Sequence, residues 1–120
     1  MLYEFNPGLP EPFNVIHPYQ LKKVNKLLSL EIPEEVDYIL LFGGSLDLAC
    51  HKNSDLDLYI ISQENDLDEV NKKMYHLCKQ LKIKFDLLIS DKDTFIENAN
   101  ELGTVEYDIK HKGVCIYAKK

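Results

Sequence analysis

The chain has 120 residues, a net charge of −6, 45 % hydrophobic residues and 28 % charged ones. A chain of this length buries roughly two-thirds of its unfolded surface, which suits one domain with one core and an ordinary soluble composition. The acidic balance excludes loose, direct binding to a nucleic-acid backbone, where a basic surface supplies most of the affinity, but it permits a nucleotide held through magnesium.

Cys50, Cys78 and Cys115 are odd in number and widely spaced, which fits a reduced, cytoplasmic protein better than a disulfide scaffold. Neither Cys50-His51 nor His76-Leu77-Cys78 has zinc-finger spacing. The N-terminus lacks a basic segment followed by a long apolar one, so no signal peptide is expected. No apolar stretch approaches membrane-spanning length, so no membrane association is expected either. All 14 basic residues are lysines, so no arginine can clamp a phosphate bidentately.

In chain order, residues 1–17 carry Pro7, Pro10 and Pro12 among Tyr3, Phe5 and Phe13, and should form an extended arm. The remaining residues, 18–120, are expected to form a single domain. Pro18 suits the first turn of a helix to about Leu30, with Leu21, Val24, Leu27 and Leu28 on one face. Val36 to Phe42 reads as a buried strand. A short helix over 45–50 and a turn over 51–54 follow. Asp55 to Ser62 is a strand that is apolar on both faces beyond its acidic start, which places it in the middle of a covered sheet.

Asn65 or Asp66 caps the next helix, where Leu67, Val70, Met74, Leu77 and Leu81 step by three and four. Ile83 to Ile89 is a third strand. Asp91 to about Ala99 and Glu101 to Lys110 are helical, the second weakened by Gly103. Gly113 to Tyr117 is a last short strand. The predicted fold is α+β, a small mixed four-stranded sheet with helices against it.

The chemistry lies in the acids. Side chains at i and i+2 of a strand point the same way, so Asp55 and Asp57 present two carboxylates side by side. Asp86 interrupts the apolar run Phe85 to Ile89 and can join them if the two strands are neighbours. Acids inside buried strands are costly unless paired or bound to metal. Three together repel, and divalent metal resolves the conflict; magnesium prefers carboxylate oxygens plus substrate phosphates. Two such ions about 4 Å apart can hold the attacking and leaving oxygens of a phosphoryl group. Upstream, Gly43-Gly44-Ser45 can hold phosphate: glycines permit close backbone approach, a following helix N-terminus offers free N–H groups, and the Ser45 hydroxyl can donate. Each feature also has a plain structural reading: a common α/β turn, a solvated strand start, a capping aspartate.

Leu41-Phe42-Gly43-Gly44-Ser45 followed by Ser54-Asp55-Leu56-Asp57-Leu58 resembles the Gly-Ser…Asp-x-Asp signature of the DNA polymerase β-like nucleotidyltransferase superfamily. Within it the chain is most similar to the minimal nucleotidyltransferase (MNT) group. Asp86 resembles the third acid, and 113–117 the usual last strand. The resemblance covers about residues 36–118. It implies transfer of a nucleoside monophosphate from a nucleoside triphosphate to an acceptor hydroxyl. Asp55, Asp57 and Asp86 would be the catalytic acids and would bind two Mg²⁺ ions. Gly43, Gly44 and Ser45 would hold the phosphates. The chain departs from the pattern at Leu48 and Ala49, which replace the usual Arg-Gly, and only nine residues separate Ser45 from Asp55 where ten are usual.

The sequence stops just after its last predicted strand, so the acceptor is expected to come from another chain or from self-association. For short chains the resemblance implies the MNT antitoxin of a HEPN/MNT toxin–antitoxin pair, which attaches AMP from ATP to its HEPN partner. Leu48 and Ala49 motivate an alternative, a binding module or inhibitor that transfers nothing. A transferase acting on a small hydroxylated molecule is a third reading.

Overall fold

Pro18 opens α1 (Pro18–Leu28), with its fixed φ suited to a first helical turn. Val24 and Leu27 of this helix are buried against a four-stranded sheet. The computed structural model describes residues 18–43, 54–63 and 65–119. The expected arm over 1–17, the expected helix over 45–50, most of the turn after it, and Gly44 and Ser45 lie outside the described residues.

The strands are β1 (Val36–Leu41), β2 (Leu56–Ser62), β3 (Phe85–Ser90) and β4 (Val114–Ala118). Their order is β3-β2-β1-β4. β1 pairs antiparallel with both β2 and β4, whereas β2 and β3 are parallel. A parallel pair needs a crossover, and α2 (Leu67–Gln80) supplies it. Asp66 caps α2 by accepting from the Glu69 amide at 3.1 Å. α3 (Lys92–Ala99) and α4 (Val105–Lys112) fill the stretch between β3 and β4. The mixed α+β sheet read from the sequence is the sheet observed.

Helices pack on both faces of the sheet. On one, Val24, Leu27, Val70, Met74 and Cys78 from α1 and α2 pack on Ile39, Leu41, Leu56, Leu58 and Ile60. On the other, Phe95, Ala99 and Ile109 from α3 and α4 pack on Leu40, Tyr59 and Ile61. Tyr59 meets Phe95 edge to face, with ring centres 5.2 Å apart. Its hydroxyl donates to Glu106 Oε2 at 2.8 Å and lies 2.7 Å from Ser90 Oγ. Burial, reinforced by the Glu106 carboxylate, holds this phenol well above its ordinary pKa.

Three expectations need correction. Glu101 to Gly103 form a turn, with Gly103 at φ +95, and the helix begins only after Thr104, whose hydroxyl accepts from the Tyr107 amide. On α1, Leu21 faces solvent, and the polar Gln20 takes the buried place beside Val24 and Leu27. The third strand is an edge strand with one open face, so Asp86 is exposed; it is not an acid inside a buried strand. Its apolar neighbours Phe85, Leu87 and Ile89 point the other way, onto the α1/α2 cluster.

Candidate active site

The ladder between β2 and β3 places Asp57 directly opposite Asp86. Neighbouring strands lie about 5 Å apart, and residues in register share a face. The two carboxylates therefore stand side by side, on the face that carries Tyr59 and Ile61 farther along. α3 and α4 cover that farther part. At the acid end the face is open: Asp57 is half-buried and Asp86 exposed. Asp55 is exposed and lies one residue before β2.

Two unit charges at such a distance repel by about 1 kcal/mol in water, a cost an open site tolerates. Among the described residues, no three His, Cys, Asp or Glu side chains gather closely enough to cage a metal by themselves. A pair of carboxylates at an open face still fits magnesium, which takes one or two carboxylates and completes its shell with water and substrate phosphates. Hard oxygen donors also suit this ion better than they suit zinc. His76 is exposed on α2 while Cys78 is buried, so His76-Leu77-Cys78 does not form a ligand pair.

Gly43 sits where β1 ends, beside the acids. Its φ is +61, and a β-carbon built there would stand 3.3 Å from Asp57 Oδ2. The Phe42 amide donates to the Asp57 carbonyl at 3.2 Å. Glycine at 43 thus makes room for an aspartate as well as for a turn. That relation is invisible in a motif read as a phosphate cradle.

Two residues that the sequence reading passed over reach the same segment. Gln20, fully buried, donates through Nε2 to the Asp55 carbonyl at 2.9 Å. Lys23, one turn further on α1, donates through Nζ to the Ser54 carbonyl. The Leu56 amide donates to the Lys84 carbonyl at 2.9 Å, just ahead of β3. The entry to β2 is therefore held from α1 on one side and from the start of β3 on the other. The one sequence signal was a glutamine four residues before Val24 and seven before Leu27, on the apolar stripe itself.

Over residues 22–120 the chain matches the family described as polymerase beta, nucleotidyltransferase. The chain belongs to this nucleotidyltransferase family. Its fold is shared with chains in solved toxin–antitoxin complexes. One is the tri-AMPylated Shewanella oneidensis HEPN toxin in complex with MNT antitoxin, matched with a TM-score of 0.51 at 17 % identity over 83 % of this chain and 73 % of that one. Another is a toxin–antitoxin complex with AMP-PNP, at 0.51 and 22 %, covering 82 % and 73 %. A third is a mutant of the toxin–antitoxin MntA–HpeT, at 0.52 and 16 %, covering 84 % and 74 %. No curated protein matches the chain significantly. Among the described residues no helix is long and apolar enough to cross a membrane.

Proposed function

We propose that this chain is a metal-dependent nucleotidyltransferase that moves AMP from ATP to a hydroxyl of a partner protein, as the MNT antitoxin of a HEPN/MNT pair. The observation that carries the reading is the side-by-side placement of Asp57 and Asp86 at the open end of the sheet. Family membership supports the reaction class. The neighbouring complexes, one with an AMPylated HEPN toxin and one with AMP-PNP, support the choice of nucleotide and partner.

In this reading Asp55, Asp57 and Asp86 would hold magnesium together with water and triphosphate oxygens, two ions being the expected number. Magnesium bound there supplies positive charge to the triphosphate and to the attacking oxygen. Gly43, Gly44 and Ser45 would line the phosphate site, with Gly44 and Ser45 holding the β- and γ-phosphates. The acceptor oxygen bonds to the α-phosphorus, the bond from that phosphorus to the bridging oxygen breaks, and pyrophosphate leaves. The acceptor proton passes toward the acid cluster, where Asp86 is open to solvent. The domain doing this spans 18–120, with 1–17 as an arm.

A second reading, a binding module that neutralises its partner without transfer, draws on Leu48 and Ala49 in place of the usual Arg-Gly. One experiment separates the two. The protein is mixed with magnesium, its candidate HEPN partner, and ATP labelled at either the α- or the γ-phosphate, with Asp57→Ala in parallel. Label on the partner from α-labelled ATP only, and lost in the variant, supports transfer. A bound but unlabelled partner, still neutralised by Asp57→Ala, supports the binding module.

A further inference from the structure

We infer that Gln20 is a positioning residue of the acid site: its buried amide grips the Asp55 carbonyl and sets the direction in which Asp55-Leu56-Asp57 presents its carboxylates. Lys23 adds a second grip one residue earlier. The inference rests on the nucleotidyl-transfer reading of those acids.

Four observations converge. First, Gln20 is fully buried in a row otherwise filled by Val24 and Leu27. Second, among the described residues only its nitrogen is satisfied; Oε1 is buried without a hydrogen-bond partner. A half-satisfied buried amide is a poor choice for packing, because an unpaired buried acceptor carries a desolvation penalty that an apolar side chain of similar size avoids. Third, the amide orientation is forced. The Asp55 carbonyl can only accept, so the nitrogen must face it. Fourth, the Leu56 amide bonds the Lys84 carbonyl on the β3 side, so the Asp55 carbonyl of the same trans peptide points the opposite way, where Gln20 meets it. Gln20 and Lys23, three apart on one helix face, take the Asp55 and Ser54 carbonyls in turn.

The consequence is mechanical. A ligating carboxylate must be held within about 0.5 Å of its working position. Removing a group that orients a metal ligand typically costs roughly 10–100-fold in metal affinity or activity. Gln20 touches neither metal nor nucleotide in this scheme; it acts through the peptide that carries Asp55.

The test uses the full chain with Mn²⁺ as a paramagnetic probe, thermal unfolding without metal, and kcat and KM for transfer from ATP. Gln20→Met keeps length and volume but loses the donor. Lys23→Met removes the second donor from a half-buried position without disturbing the core. Val24→Ala weakens the same helix while leaving both donors. We expect Gln20→Met to unfold at or above the wild-type temperature, to bind Mn²⁺ roughly tenfold or more weakly, and to lose kcat with KM for ATP unchanged. Lys23→Met should move the same way, and Val24→Ala should lower only the unfolding temperature. Mn²⁺ affinity at the wild-type value in both donor variants, or a loss that merely tracks unfolding as in Val24→Ala, overturns the inference. A wild-type chain that binds no Mn²⁺ and transfers no label overturns the nucleotidyl-transfer reading itself, a result distinguishable from the first.

Discussion

Gly43 and Asp57 are close neighbours: a β-carbon on the glycine would stand 3.3 Å from Asp57 Oδ2. The glycine also has φ +61, where an L-residue pays about 1–2 kcal/mol. Gly43→Ala should therefore lose stability of that order and displace the Asp57 carboxylate. Gly103→Ala is the control. Gly103 has φ +95 but nothing within 4 Å of its would-be β-carbon. Urea unfolding should show comparable losses for both variants, while Mn²⁺ binding weakens only in Gly43→Ala. Equal Mn²⁺ binding in the two variants would mean that the close approach does not matter to the site.

Asp86 offers a cleaner separation of fold from chemistry. It is exposed, in register with Asp57, and on an edge strand. Asp86→Asn removes one of two adjacent like charges, so stability without metal should stay level or rise by a few tenths of a kcal/mol. A ligand that stabilises charge in the transition state is worth several kcal/mol, so transfer should fall at least about a hundredfold. The checks are chemical unfolding in chelator and label transfer in magnesium. Intact transfer would remove Asp86 from the catalytic set.

The elements whose residues report on themselves were legible in the sequence. The heptad-like steps of Val70, Met74 and Leu77 mark α2, and the two-faced apolar run of β2 marks an interior strand. The third strand looked just as apolar, yet it lies at the sheet edge. Phe85, Leu87 and Ile89 face the α1/α2 cluster, while Asp86 and Leu88 face outward. A run of apolar residues does not disclose whether a helix covers its second face. Gln20 was hidden for a related reason. Spacing alone lets either Leu21 or residue 20 share a stripe with Val24, and the partner that justifies a buried amide lies 35 positions away. The acid pair was legible as a pattern, but its contact depended on β2 and β3 being neighbours.

At the start of α3, Asp91 accepts from the Thr94 amide at 2.7 Å, and that bond holds its carboxyl below the usual aspartate range. A depressed pKa stabilises the fold above the unfolded value, and the contribution is lost as pH falls through the folded one. Asp91→Ala should cost about 1 kcal/mol at neutral pH. Asp91→Asn should keep most of the cap and reduce the loss of stability on acidification below pH 4. Unfolding curves at neutral and acid pH decide this; the same acid slope in Asp91→Asn and wild type would refute the assignment.

Tyr59 makes the most specific prediction about the covered half of the acid face. Its hydroxyl joins Ser90 of β3 to Glu106 of α4, behind the ring contact with Phe95. Tyr59→Phe keeps the ring but leaves Glu106 and Ser90 without this partner. A hydrogen bond to a charged group contributes about 1.5–3 kcal/mol, so the loss should fall in that range.

Alkaline pH probes the thiols, Cys78 in the α1/α2 cluster and the half-buried Cys115 against the cluster of Tyr59. Burial pushes Cys78 up to about 11 from an ordinary 9.0. Between those values an unfolded chain has released the thiol proton and the folded chain still holds it. A raised folded pKa means stability that is complete below pH 9 and falls as pH rises toward 11, by about 1.4 kcal/mol per unit from this group. Cys115, also raised to about 11 by burial, adds to the slope, and Tyr59 adds above pH 10. Cys78→Ala should be less stable at pH 7, from the lost packing against Met74 and its neighbours, yet show a shallower decline from pH 9 to 11. An unchanged slope would mean that the Cys78 thiol ionises within the folded protein, and that the α2 face of the core is open to hydroxide at that point.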